Sequence, residues 1–169
     1  MPETETKLPW FALVVRPHHE QTVRDGLTMK GLENFLPQYT AMRHWSDRSK
    51  RLSLPLFPGY VFCRFEPGRP TPVLRTPGVR SAVSFGKILT SIPESDIQRL
   101  RLIVDSGSGV EPWPYIQVGQ RMRINAGPLA GLDGILQEVR NTWRIVVGVD
   151  LLQRSIAVQL ERDQVTPLN

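Results

Sequence analysis

"PLFPGYVFCRF", residues 55–65, is the stretch on which the fold turns. Its aromatic and β-branched content is that of a buried strand, yet Pro58 and Gly59 interrupt it. Side chains alternate across a strand with a period of two. On that period Phe57, Gly59, Val61, Cys63 and Phe65 share one face, while Leu56, Pro58, Tyr60 and Phe62 share the other, which ends at Arg64. Both faces are apolar, and a sheet with helices on one side needs only one of them for its core. The reading assigns Phe57, Val61, Cys63 and Phe65 to the core and leaves Leu56, Pro58, Tyr60 and Phe62 facing away. Apolar residues clustered on an open sheet face mark a protein-contact surface, unless a second domain or a dimer partner covers them. Pro58 withholds a ladder donor and suits an edge or bulge, and Gly59 lets the backbone bend.

Working outward, "NFLPQYTAMRHW" (34–45) reads as a strand leading into the polar turn "SDRSK", from which "RLSLPLFPGYVFCRF" returns, so that 33–65 is expected to form a long β-hairpin with a basic tip. Upstream, "WFALVV" (10–15) is a buried strand. Pro17 opens a helix whose inner face carries Val23 and Leu27, with Gly31 as its stop. Downstream, "PGRPTP" breaks the chain, "VLRTPG" allows a turn or two of helix, and "VRSAVSFG" alternates as a strand. "SIPESDIQRLRLIVDSG" then places Pro93, Glu94 and Asp96 at a helix start and Ile97, Leu100 and Val104 on one face. The order β-α-β-β-α-β-α predicts an α+β fold, an antiparallel sheet with helices packed against it, over residues 8–105. "DSGSGVEPWP" is rich in Ser, Gly and Pro, and 106–114 is assigned as a linker. Residues 115–169 carry short strands at close spacing, the pattern of a small all-β barrel.

The composition limits what such a chain can do. Hydrophobic residues make up 40% of the 169 and charged residues 22%, which supports a folded core. The net charge of +5 is unevenly spread: "RHWSDRSKR" (43–51) sets four basic residues against Asp47. Long cationic side chains reach phosphates and an indole stacks on a base. Arg43, Arg48, Lys50 and Arg51 around Trp45 are therefore candidate nucleic-acid contacts, against the plainer reading of a solvated hairpin tip. The single cysteine, Cys63, excludes a disulfide framework within one chain and fits a reducing cytoplasm. The N-terminus "MPETETKLPW" lacks the pattern of a signal peptide, and no apolar run is long enough to span a membrane.

Catalytic patterns are missing. "GPLAGLDG" (127–134) lacks the Gly-Lys-Ser/Thr ending of a phosphate-cradling loop and reads as a turn between strands. His18, His19 and Glu20 are consecutive and cannot share one helical face, so they are expected as solvated helix-start residues, and His44 is the only other histidine. No serine sits in a nucleophile-elbow context and no H-E-x-x-H occurs. Neither an enzyme nor a metal or cofactor site is expected.

In order along the chain, "WFALVVRPHHEQTVRDGL", "LPLFPGYVFCRF", and "LRTPGVRSAVSFG" with "IPESDIQRL" resemble the N-terminal domain of the NusG transcription elongation factors. "VGQRMRINAGPLAGLDGILQEV" resembles the KOW motif that opens their C-terminal, SH3-like barrel. The resemblance implies a cytoplasmic, monomeric, non-enzymatic transcription elongation and antitermination factor. Such a factor docks on the clamp helices of the RNA polymerase β′ subunit, bridges to the β subunit and suppresses pausing. By motif position, the docking patch falls on Val14, Pro58, Tyr60, Phe62 and Phe85, with Val14 standing where many relatives carry an aromatic residue. The KOW barrel of the family recruits the ribosomal protein NusE or the termination factor Rho, and Leu129 and Leu132 sit where that contact is made. The compact "RHWSDRSKR" hairpin and "PLFPGYVFCRFEP" are similar to RfaH and the antiterminators of polysaccharide gene clusters, which read the non-template DNA strand through basic residues near this hairpin. Some relatives refold their C-terminal domain into helices; the Val and Ile content of "WRIVVGVDLL" and "RSIAVQL" favours strands here. A stand-alone nucleic-acid-binding module and a ribosome-associated protein are the alternative readings.

Overall fold

A computed structural model of the chain describes residues 7–106, 109–113, 121–139, 142–149, 154–160 and 164–168. It divides into two compact units, one of Met1–Leu36 with Phe57–Ser95 and the other of Pro37–Leu56 with Asp96–Asn169.

The first unit is built on a four-stranded sheet. Its strands are β1 (Trp10–Val15), β2 (Asn34–Phe35), β5 (Tyr60–Arg64) and β6 (Val79–Ala82), in the order β2-β5-β1-β6. All pairings are antiparallel. Helix α1 (Glu20–Met29) lays Val23 and Leu27 on one face of this sheet, against Phe11, Leu13, Val15, Val61, Cys63 and Phe65, and Val73 of the short α2 (Thr71–Leu74) joins the cluster. Each such side chain contributes about 1.5–3 kcal/mol on full burial. The helix ends as expected: Gly31 has φ 73°, its N–H donates to Thr28 O, and the Leu32 N–H reaches Leu27 O, a complete Schellman cap. It begins later than expected, at Glu20; Pro17 lies in the turn before it.

The parity of 55–65 needs correction on one side. Val61, Cys63 and Phe65 join the α1-side core. Phe57 does not; its ring meets Phe62 edge-on at 5.9 Å. The cause is the turn at 56–59, where Gly59 takes φ 86° and the Tyr60 N–H returns to Phe57 O at 3.1 Å, which resets the alternation. The long hairpin expected over 33–65 is divided in the same way. β5 belongs to the four-stranded sheet, whereas β3 (Gln38–Trp45) and β4 (Arg48–Pro55) pair only with each other. Pro37 sits between β2 and β3 and ends the ladder there.

A further two-stranded hairpin, β7 (Ser84–Phe85) with β8 (Ile88–Leu89), follows β6 in the first unit. Helix α3 (Glu94–Asp105) buries Ile97, Leu100 and Ile103, the last in place of the expected Val104. Strands β9 (Val110–Trp113), β10 (Arg121–Ile124), β11 (Asp133–Val139), β12 (Thr142–Val149), β13 (Arg154–Leu160) and β14 (Val165–Pro167) form a six-stranded antiparallel sheet, ordered β14-β10-β11-β12-β13-β9. Thr142–Val149 and Arg154–Leu160, the described parts of the two Val/Ile-rich segments, are strands, as their composition predicts. Val110–Trp113, expected within the linker, is instead an edge strand paired with β13, a position where Pro112 and its missing donor are tolerated. Residues 116–120 and 140–141, read as a strand start and a turn, lie outside the described residues.

Candidate functional site

The β1–β5 register places Val14 opposite Tyr60, Ala12 opposite Phe62 and Trp10 opposite Arg64, all on the face away from α1. Along this face the character changes in three steps. At one end Val14 and Tyr60 are half-buried and the preceding Pro58 is exposed. In the middle Phe62 is wholly buried, stacked on Phe35 at 6.3 Å and touched by Phe57. At the far end Arg64 is buried as well. Leu56 is also buried. Leu56 and Phe62 are therefore not the surface residues that strand parity suggested. β5 lies between two strands, β2 and β1, so its middle residues have neighbours on both sides. The patch that the structure brings together is Val14, Pro58 and Tyr60, with Phe62 beneath the surface. Phe85 lies outside this sheet, 87% exposed on the β7–β8 hairpin and paired with Ile88, itself 75% exposed.

Two charged residues behind this surface were not legible in the sequence. Glu20, expected in solvent, is 7% exposed, and its Oε1 accepts the Gly59 N–H at 2.9 Å. Arg64 sits over the Trp10 ring at 4.6 Å, pairs with Glu33 at 2.9 Å and Glu94 at 2.7 Å, and donates to Leu8 O. A lone cation ending an otherwise apolar strand was the only available hint of the second. No spacing rule links Glu20 to Gly59.

The basic hairpin is sorted by its register. Arg43 lies opposite Lys50 and Trp45 opposite Arg48, and residues two apart share a face, so these four stand together. Arg51 falls on the other face, opposite Met42, beside the His44–Ser49 pair. Trp45 is 56% exposed and the Arg48 guanidinium lies 5.9 Å from its ring centroid. Like charges directly opposed across strands repel, and Arg43 with Lys50 is such a pair on an exposed surface.

In the six-stranded sheet's unit, Leu129 and Leu132 are buried rather than presented. The turn between β10 and β11 folds inward: Gly131 N–H donates to Ile124 O, Ile124 N–H to Leu132 O, and Leu132 N–H to Leu129 O. Gly127 and Gly131, at φ 82° and 93°, make that turn possible. Pro128 and Ala130 remain exposed at its tip. Beside it, Arg123 grips Asp133 through two bonds of 2.7 and 3.0 Å, and this hydrogen bonding draws the Asp133 carboxyl below the usual range.

Residues 8–101 match the family described as transcription termination factor NusG. The chain belongs to the NusG family. It is 28% identical to the transcription termination/antitermination protein NusG of Pseudomonas aeruginosa over 158 residues, covering 90% of this chain and 89% of that one. The NusG of Pasteurella multocida is 25% identical over the full length of both chains, and that of Neisseria meningitidis 32% identical over 67% of this chain and 66% of its own. A solved structure concerning domain interaction in Thermotoga maritima NusG covers 96% of this chain and 98% of its own, with a TM-score of 0.61 and 18% identity, which supports the fold. The curated relatives are transcription termination/antitermination proteins by name, which places the chain in a family of transcription factors. Among the described residues no helix is long and apolar enough to cross a membrane.

Proposed function

We propose that this NusG-family chain is a cytoplasmic, monomeric elongation and antitermination factor that docks on the β′ clamp helices of RNA polymerase and bridges to the β subunit. The supporting observation is the exposed end of the β1–β5 pair, where Val14 and Tyr60 face each other beside Pro58, within the segment that matches the family. Phe85 extends the apolar contact from its own hairpin, and Phe62 acts from the core by supporting the strand that carries Tyr60. Alanine at Tyr60 and serine at Phe85, tested separately for binding to a β′ clamp-helix fragment, should each weaken it while the protein stays folded. Unchanged affinity in both refutes the docking site.

The non-template DNA strand is the second ligand in this reading, met by Arg43, Trp45, Arg48 and Lys50 from one face of the hairpin, with Arg51 behind them. The C-terminal unit recruits NusE or Rho through the tip of the β10–β11 turn, which Leu129 and Leu132 anchor from within. A stand-alone nucleic-acid-binding role is the second reading, favoured by the opposed Arg43 and Lys50; it requires tight, salt-sensitive binding to free DNA or RNA without polymerase.

A further inference from the structure

Glu20 is a buried carboxylate with no basic partner among the described residues. Burying a polar side chain is costly unless it is hydrogen-bonded, so its position asks for a reason. Its Oε1 takes the Gly59 N–H at 2.9 Å across 39 positions of sequence, while the Gly59 carbonyl takes the Val15 N–H at 2.9 Å. Both backbone polar groups of the glycine in the Pro58–Tyr60 turn are thereby held, one by α1 and one by β1.

The approach to Glu20 is also constrained. His18, just before the helix, has φ 64°, a left-handed conformation that non-glycine residues adopt at a cost. The turn containing it is seated on Gly78: Arg16 N–H donates to Gly78 O at 2.9 Å, and a Cβ on Gly78 would come within 2.8 Å of Val23 and 3.2 Å of His19. His19 Nδ1 lies 2.9 Å from Pro17 O. A tight, strained turn thus delivers the first residue of α1 to the amide of Gly59.

We propose that Glu20 is a positioning residue of the docking surface, whose carboxylate fixes the pose of Pro58 and Tyr60 by holding the Gly59 amide. Rigidity here lowers the ordering cost of binding. The inference rests on the reading above that this turn meets RNA polymerase.

The test uses the full chain with Glu20→Gln, Glu20→Ala and Tyr60→Ala. It measures amide exchange at Gly59 in the free protein, affinity for a β′ clamp-helix fragment, and thermal unfolding. Glu20→Gln keeps an acceptor oxygen, so Gly59 protection and affinity should stay within about threefold of the parent. Glu20→Ala should lose at least tenfold in both, since a hydrogen bond to a charged group corresponds to roughly tenfold or more in an equilibrium constant. If the alanine variant does not fold, Glu20→Asp, one methylene shorter, replaces it under the same thresholds. Unchanged Gly59 protection, or lost protection with parental affinity while Tyr60→Ala is impaired, overturns the inference alone. Parental binding by Tyr60→Ala overturns the docking reading and the inference with it; the exchange data then still report whether Glu20 holds the turn.

Discussion

The guanidinium of Arg64 rests on the ring of Trp10 at 4.6 Å, and both residues bind the same carboxylate: Glu94 accepts from Arg64 at 2.7 Å and from Trp10 Nε1 at 3.1 Å. These are directly opposed residues of β5 and β1, so the strand register itself creates the contact. Arg64 also reaches Glu33, before β2, and the Leu8 carbonyl. One buried cation therefore ties the segments on either side of the sheet to its centre. Arg64→Ala should cost about 2–4 kcal/mol in urea unfolding, below the full loss of a buried pair because both carboxylates keep access to water. Arg64→Lys should recover less than half of this, because an ammonium lacks the fork that serves two carboxylates and a carbonyl.

Phe62 and Tyr60, two residues apart on one face, should separate stability from binding. Phe62→Ala removes a wholly buried aromatic and should destabilise by about 3–5 kcal/mol. Tyr60→Ala should cost about 1 kcal/mol or less in stability and yet weaken clamp-helix binding, because Tyr60 is only half-buried in the free protein. Calorimetry and a binding titration on the two single variants check this. Equal loss of stability in both would falsify the division.

On the hairpin, Lys50→Glu turns a like-charge pair with Arg43 into an opposite one. The variant should be as stable as the parent or slightly more so, by a few tenths of a kcal/mol, on thermal melting. Arg43→Ala with Lys50→Ala should lower the salt slope of single-stranded DNA binding by about one to two, whereas Arg51→Ala, on the other face, should change it by about half a unit or less. Equal effects at all three positions would mean that charge alone, and not the face, governs binding.

Cys63 is fully buried, and desolvation, aided by the charge of Glu33, pushes its thiol up to about 12. The native protein should therefore resist a thiol reagent at pH 8, reacting at the rate of unfolding. The sign of the linked stability follows. An unfolded thiol ionises near pH 9 while the folded one stays protonated, so stability falls as pH rises above about 9. Cys63→Ala should remove that part of the slope in unfolding measured between pH 8 and 10.5.

Local patterns carried most of the element assignments. Val23 and Leu27 one turn apart, and Gly31 beyond them, mark α1 and its end in the sequence pattern itself. Parity alone places Val61, Cys63 and Phe65 on the core face, and they lie in the α1-side core. Parity failed at Phe57, because a single glycine with positive φ shifts the alternation and the period of two holds only along unbroken strand. It also misjudged Phe62, since alternation says which face a side chain takes and not what lies over it. Leu129 and Leu132, which the resemblance places at the KOW contact, are held inward by the turn's own hydrogen bonds, and no residue spacing announces that burial.

By itself the sequence determined most of the elements, the family and the chemistry on offer, because these depend on residue type and on neighbours a few positions away. Which residues meet was decided by tertiary structure. Gly59 finds Glu20, Arg64 finds Trp10 and Glu94, and three of the four hairpin cations share a face, only once strands pair in one register. Pairing between distant segments is chosen by the burial of whole faces, a sum over the sheet that no single stretch of sequence contains.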